Sequence, residues 1–215
     1  EQRVDLIVPV FEEAIYMARA LEQQASPPKA FASDFHTLLT LHNKWLFNRR
    51  ARELSLPVPE SRLLTSRDDA LNAFSENSDR VFKPVYSRWA SHIVVRPRTV
   101  DDLARVEPTE SRPWLVQDFL PGRPFATYSL AHNGRLTAHA TYASDMSTGY
   151  GPTHGYRPVR HQQIFDWVRK FVEATRYTGQ IGVDFIEDAD GQVCATECNP
   201  RATGAMYLMS DDPRF

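Results

Sequence analysis

The sequence predicts a mixed α+β (α/β) fold that ends in an antiparallel sheet. Residues 123–131 and 135–143 alternate well enough to be strands, and an Asn-Gly turn at 132–134 joins them as a hairpin. Apolar-rich runs also flank a turn signal at 188–191. Between the two hairpins, residues 162–175 place apolar side chains on one side of a helix. At 215 residues and 42% hydrophobic content, the chain is long enough for a substantial core or two lobes.

The first half of the chain predicts further helices and short strands. A strand at 4–10 is followed by a helix at 12–22. Farther along, Phe47, Ala51 and Leu54 recur at helical spacing and form a core face. This helix is a packing element first, because its arginines would lie in solvent.

A small α+β lid is predicted at about residues 45–113. Its strands lie at 81–84 and 91–96, and a short helix follows at 101–106. Lys83 stands between apolar neighbours on the first of these strands. A lysine in that position must either extend to solvent or meet a counter-charge.

The second hairpin brings acidic residues of its two strands together. With the turn 188–191 as its loop, Glu187 pairs with Gln192, and Asp184 lies opposite Ala195. This register depends on an even loop, because a slip of one residue would send Asp184 to the other face of the sheet.

In that register, Glu197 and Asn199 share a face with Asp184, and Arg201 follows just past the strand end. Mg²⁺ prefers carboxylate oxygens together with substrate phosphates, and a guanidinium can neutralise the far phosphate. The alternative is a solvated hairpin face. The apolar run around Asp184 is unsuited to an outer face and favours the metal site.

The run Glu197-Cys-Asn-Pro-Arg201 resembles the signature of the ATP-grasp fold, in particular its carbamoyl-phosphate-synthase-like and carboxylate-amine ligase branch. The resemblance covers about residues 4–207. It implies that Asp184, Glu197 and Asn199 bind Mg²⁺ (or Mn²⁺) and that Arg201 touches the transferred phosphate.

Two upstream lysines fit the same template in the same order. The resemblance implies that Lys44, at the start of an Asn-Lys helix, and Lys83 bind the nucleotide phosphates. Taken alone, Lys44 would more often be a surface charge.

The strand at 114–122 is similar to the hinge whose backbone groups bind the adenine edge in this family. It is also an ordinary buried strand that ends at Pro-Gly, and a hinge strand of this fold is both. The residues that would contact ATP are Gln117, Asp118, Phe119 and Leu120.

The resemblance also divides the chain. Residues 1–27 look like the last strand and helix of an α/β domain that precedes the ATP-grasp domain, and residues 28–215 form that domain. Within it, the lid at about 45–113 and a C-terminal lobe at 114–215, expected to be truncated, would grip the nucleotide as two α+β lobes.

A long loop that contains glycines, residues 144–158, precedes the helix that leads into the second hairpin. Arg157 can hold a substrate carboxylate through two hydrogen bonds. His154 could accept a proton from an attacking amine, although a lone loop histidine is more often merely solvated. We therefore expect this loop to close over the reacting groups.

Composition excludes several classes of protein. A net charge of −2 without a basic stripe argues against nucleic-acid binding. No apolar run is long enough for a membrane span, and no signal-peptide pattern appears. Cys194 and Cys198 are roughly 13 Å apart at ~3.3 Å per strand residue, so both should be reduced, as in the cytoplasm.

The resemblance implies an ATP- and Mg²⁺-dependent ligase that activates a carboxylate as an acylphosphate for attack by an amine. Its partners would be small-molecule carboxylates and amines, with a homodimer possible. Residues 86–92 lack the glycines of many relatives. This departure keeps open a catalytically inactive nucleotide-binding module, and a purely structural or interaction domain is the third alternative.

Overall fold

The computed structural model of the protein describes residues 4–87, 92–144 and 155–209. Its α-helices are α1 (Glu13–Glu22), α2 (Phe35–His42), α3 (Lys44–Glu53), α4 (Arg67–Glu76) and α5 (Gln162–Thr175). Its strands are β1 (Ser61–Leu64), β2 (Arg80–Pro84), β3 (Val94–Val95), β4 (Trp114–Asp118), β5 (Arg123–His132), β6 (Arg135–Ala143), β7 (Arg157–Val159), β8 (Gly179–Glu187) and β9 (Val193–Asn199). Two 3-10 helices span Val100–Leu103 and Gly204–Met209.

The strands form two antiparallel sheets. The first has the order β1-β4-β2-β3, and the second has the order β7-β6-β5-β8-β9. This arrangement confirms the mixed α+β fold.

Each sheet has its own hydrophobic core. Helix α4 packs on the first sheet through Ala70 and Ala73. Helix α5 packs on one face of the second sheet, together with buried residues of α1, α2 and α3. The opposite face of the second sheet buries Tyr128 and Tyr142 against the 3-10 helix Gly204–Met209. The second sheet is therefore covered on both faces.

Several predicted elements are confirmed. Helix α5 spans the predicted residues, and strands β5 and β6 form the first hairpin. Its turn places Asn133 at φ 50° and Gly134 at φ 81°. Two successive residues with positive φ are what a type I′ hairpin turn requires, and Asn-Gly is its favoured sequence.

Three predicted elements differ. The strand predicted at 4–10 is reduced to one bridge between Ile7 and Ala30. The helix predicted at 101–106 is the 3-10 helix Val100–Leu103. The strand predicted at 91–96 is the short β3, which ends where Arg96 takes a positive φ of 48°. Positive φ is incompatible with an extended strand.

Strand β4 pairs with β1 and β2, so residues 114–118 lie in the first sheet, whereas the sequence predicts them in the C-terminal lobe. From β4, the chain crosses to β5 through Gly122. A Cβ atom on Gly122 would lie 2.1 Å from the carbonyl oxygen of Glu187 at the end of β8. The connection between the sheets therefore packs directly on the second hairpin and requires glycine.

We expect Gly122→Ala to lower the free energy of unfolding by at least about 2 kcal/mol, because backbone atoms must move to admit the methyl group. Gly191→Ala is the control. At Gly191, φ is +76° and nothing lies within 4 Å of an added Cβ, so that variant reports backbone strain alone, about 1 kcal/mol. Urea unfolding measures both, and equal losses would contradict the steric explanation.

Candidate active site where the two sheets meet

The pairing of β8 with β9 differs from the predicted register by one residue. Glu187 pairs with Val193 rather than with Gln192. The reason is the side chain of Asp188, whose Oδ1 accepts hydrogen bonds from the backbone N–H groups of Asp190 (2.9 Å) and Gln192 (2.8 Å). Asp188 thereby draws Gln192 into the loop, which is one residue longer than the turn signal indicates.

A β-bulge restores the predicted face. The register shifts between Asp184 and Phe185, so that Phe185 pairs with Ala195 but Asp184 pairs directly with Glu197. Without the bulge, Asp184 would lie opposite Thr196, and Glu197 would point to the other face. The longer loop and the bulge thus cancel, and the two carboxylates become direct cross-strand neighbours.

Asn199 lies on the same face of the hairpin, because it pairs with Gly182, two residues along from the Asp184–Glu197 pair. Burial raises the pKa of Asp184, and the neighbouring Glu197 carboxylate raises it further, because two adjacent negative charges resist ionisation together. Across residues 4–87, 92–144 and 155–209, no group of three or more His, Cys or acidic side chains is arranged to hold a metal. The predicted ligands are instead two carboxylates, Asp184 and Glu197, and the amide of Asn199.

Lys44 lies against this pair of acids. Its Nζ is 3.3 Å from Glu197 Oε1 and donates a hydrogen bond to the carbonyl of Ser87 (2.9 Å). Asn43 caps helix α3 by accepting a hydrogen bond from the N–H of Leu46 (2.9 Å), so Lys44 is the first helical residue. The Lys44 side chain is only 2% exposed, which excludes the surface-charge interpretation.

Lys83 reaches from the first sheet to the second. Its Nζ donates a hydrogen bond to the carbonyl of Thr196 (3.1 Å), the residue at the bulge. Burial lowers the pKa of Lys83 to about 8, and the nearby Lys44 lowers it, while Glu197 and Asp184 oppose the change. The two acids therefore provide the counter-charge that a buried lysine needs.

Arg201 lies beyond the end of β9 and is held in place on several sides. Its Nη2 donates to Asn199 Oδ1 (3.2 Å), and its Nη1 donates to the carbonyl of Ala202 (2.9 Å). Its Nε is 3.5 Å from Glu12 Oε1, and its guanidinium lies over the ring of Phe11 at 5.1 Å. Arg201 thus links the predicted ligand Asn199 to the start of the chain.

Sequence reasoning missed three neighbours of this cluster. Burial lowers the pKa of His42, and the nearby Lys44 contributes, so the imidazole lies within the field of the site. Burial raises the pKa of Tyr142 well above its usual range, and Asp184 adds to the effect. Glu12 pairs with Arg201. Of these three neighbours, only His42 could have been found from the sequence, because it lies two residues before Lys44.

The predicted hinge residues are partly engaged within the protein. The N–H of Asp118 donates to the carbonyl of Glu60 (3.0 Å), and the N–H of Phe119 donates to the carbonyl of Asp79 (3.1 Å). The buried side chain of Gln117 donates to Ser61 Oγ (3.2 Å). The connection continues through Leu120, which is partly buried.

The predicted substrate loop lies mostly outside the described residues, and this includes His154. The C-terminal end of the loop corrects the prediction, because Arg157 belongs to strand β7 and pairs with Ala143 of β6. Strand pairing explains the difference, since backbone hydrogen bonds to β6 compete with the loop conformation. The Arg157 side chain is exposed at this edge of the sheet.

Two lysines, two facing carboxylates, an amide and an arginine thus lie where the two antiparallel sheets meet, and groups of these kinds suit a metal-complexed polyphosphate. An ATP-grasp domain model matches residues 41–205. The match covers well over half of the chain, so the chain belongs to the ATP-grasp family. The resemblance drawn from Glu197 to Arg201 is confirmed.

Solved structures of low sequence identity share the fold. The ADP complex of purK, an N5-carboxyaminoimidazole ribonucleotide synthetase, has a TM-score of 0.77 at 14% identity, over 96% of this chain and 56% of that chain. The biotin carboxylase domain of Hydrogenobacter thermophilus 2-oxoglutarate carboxylase has a TM-score of 0.74 at 12% identity, over 94% and 49%. VanG D-Ala:D-Ser ligase from Enterococcus faecalis has a TM-score of 0.73 at 17% identity, over 93% and 64%. The chain therefore spans between about half and two thirds of these structures.

A membrane span was not found among the helices of the described residues, none of which combines the necessary length and apolar character.

Proposed function

We propose that this chain is the ATP-binding part of a ligase that uses ATP and Mg²⁺ to activate a substrate carboxylate as an acylphosphate, which an amine then attacks. The main support is the direct pairing of Asp184 with Glu197 beside the buried cations Lys44 and Lys83. A cluster of this kind is electrostatically strained, since Asp184 lies beside Glu197 and Lys83 lies near Lys44. Bound phosphates and a divalent cation would relieve that strain.

The residues present fit the groups that this reaction requires. Asp184, Glu197 and Asn199 offer the hard oxygen ligands that Mg²⁺ takes in small number when phosphates complete its shell. When bound there, Mg²⁺ would neutralise charge on the phosphates. Lys44 and Lys83 would bind phosphate oxygens. Because little covalent chemistry falls to the protein in phosphoryl transfer, these residues act by positioning and neutralising.

The adenine would be bound at the hinge. Since the N–H groups of Asp118 and Phe119 already donate to Glu60 and Asp79, we propose that adenine is contacted through the hinge carbonyls and the N–H of Leu120. Arg157 and His154 remain the proposed contacts of the carboxylate and the amine. The structural relatives include ADP and MgADP complexes and a domain described as a dimer, which supports the same cofactors and a possible homodimer here.

Two measurements test the proposal. A thermal shift of the chain by ATP that requires Mg²⁺ (or Mn²⁺) is expected, and its absence would overturn nucleotide binding. A screen for ADP release against pooled amino and hydroxy acids, with a pool of amines, then tests turnover. Binding without ADP release in any pool would instead support a nucleotide-binding module that lacks catalysis.

A further inference from the structure

The segment before helix α1 is attached to the ATP-grasp core at several points. The N–H of Ile7 donates to the carbonyl of Lys29 (2.9 Å), and the N–H of Phe31 donates to the carbonyl of Ile7 (2.8 Å). The buried side chain of Gln180 on β8 donates to the carbonyl of Pro9 (2.6 Å). The residues that follow Pro9 therefore have a fixed position relative to the second sheet.

Glu13 fixes the turn into helix α1. Its Oε1 accepts hydrogen bonds from the N–H groups of Val10 and Phe11, both at 3.0 Å. Glu12 occupies the N-cap position but makes no side-chain capping hydrogen bond. Glu13 thus binds the N–H groups of the two residues that precede the N-cap. The Glu12 side chain is directed elsewhere, toward Arg201.

Glu12 and Arg201 form an ion pair that is largely removed from solvent. Their side chains are 15% and 12% exposed, and Arg201 Nε lies 3.5 Å from Glu12 Oε1. Phe11 supports the same guanidinium from one side, with the Arg201 Cζ 5.1 Å from the ring centroid. The other two nitrogens of Arg201 donate to Asn199 and Ala202. The orientation of the guanidinium is therefore set jointly by β9 and by the start of α1.

We propose that Glu12, with Phe11, is a positioning residue that orients Arg201 toward the terminal phosphate of bound ATP. This inference rests on the proposed function, in which Arg201 meets the far phosphate. In this role Glu12 would contact the guanidinium of Arg201 and not the nucleotide. It acts through Arg201, because a guanidinium binds phosphate well only when its planar fork of donors is correctly oriented.

The test compares two probes, ADP and the non-hydrolysable ATP analogue AMP-PNP, each with Mg²⁺, by titration calorimetry on the full chain. For Glu12→Ala we expect affinity for AMP-PNP to fall about tenfold, since one oriented charge-assisted contact is lost, while affinity for ADP changes by less than about twofold. Glu12→Gln keeps the length of the side chain and an oxygen near Arg201 Nε, which lies 3.5 Å from Glu12 Oε1, and should restore most of the difference. Glu22→Ala, which removes an acid at the other end of α1 that binds the N–H of Phe35, should leave both affinities unchanged.

A double variant separates positioning from a general role in folding. If Glu12 acts only through Arg201, then Glu12→Ala combined with Arg201→Ala should bind AMP-PNP no more weakly than Arg201→Ala alone.

Equal loss of ADP and AMP-PNP affinity in Glu12→Ala would overturn the proposal in favour of a structural role. Tighter binding of AMP-PNP in both Glu12 variants would overturn it in favour of simple charge neutralisation. If Glu12→Ala does not fold, the same two affinities are compared for Glu12→Asp, whose shorter side chain moves the carboxylate away from Arg201. A parent chain that binds neither nucleotide would overturn the proposed function itself.

Discussion

Replacing Glu197 with glutamine is expected to abolish Mg²⁺-dependent ADP release while the chain remains folded. Glu197 is a predicted metal ligand that also contacts a predicted phosphate-binding lysine, since its Oε1 lies 3.3 Å from the Nζ of Lys44. The substitution keeps the size of the side chain and removes a charge that both the metal and the lysine require. We expect turnover to fall by about a thousandfold, the upper end of the range seen when one preorganised contact to a transition state is lost.

The control for this variant lies on the same hairpin. Glu187 has a similar exposure, 19% against 22% for Glu197, and it too has basic neighbours: His161 Nε2 lies at 3.0 Å and the Arg123 guanidinium (Nη1) at 3.5 Å. Glu187→Gln should therefore cost comparable stability and leave turnover intact. Loss of about 1 to 3 kcal/mol in stability in both variants with retained Mg²⁺-dependent turnover would show that Glu197 serves the fold alone.

The sequence predicts correctly which face of the second hairpin Asp184 and Glu197 share, but not the register that brings them together. The even loop gave the right face only because two departures compensate: Asp188 closes a loop that includes Gln192, and a bulge opposite Asp184 shifts the pairing back. Alternation of residues contains no signal for a bulge, because the inserted residue, Thr196, has high β propensity. The direct pairing of Asp184 with Glu197 could therefore not be read from spacing.

Local patterns otherwise predicted local structure. The Asn-Gly turn before Arg135 and the apolar stripe of α5 determine their elements through contacts within a few residues, so both were predicted to within a residue. Long-range pairing was not visible in this way. The ion pair between Glu12 and Arg201 joins residues at opposite ends of the chain, and no periodicity relates them. The same holds for the hydrogen bond from Lys83 to Thr196, which positions the lysine across the two sheets.

Replacing Lys83 with methionine is expected to weaken ATP binding by about a hundredfold without weakening the fold. Methionine fills a similar apolar volume, and the lowered pKa of Lys83 shows that burying its charge costs stability, which offsets the lost hydrogen bond to Thr196 while Lys44 still faces Glu197. The ammonium contributes its full value only when a phosphate is present, and a charge-assisted contact of this kind contributes about 2 to 3 kcal/mol. Lys170→Met, on the exposed face of α5, is the control for loss of one positive charge.

The pH dependence of binding offers an independent test of the same residue. Burial lowers the pKa of Lys83 to about 8 in the free protein, from an ordinary value of 10.5. Phosphate binds the protonated form, so ATP affinity should fall as pH rises through 8, by up to about tenfold per pH unit.

The stability of the fold has the opposite dependence on pH. Between pH 8 and 10.5 the unfolded chain binds the additional proton, so Lys83 makes the free energy of unfolding increase with pH across this window. Calorimetry and urea unfolding at pH 7, 8 and 9 measure the two trends, and Lys83→Met should remove both. If the variant retains the decline in ATP affinity between pH 8 and 9, the titrating group is not Lys83 and its assignment to the phosphates is wrong.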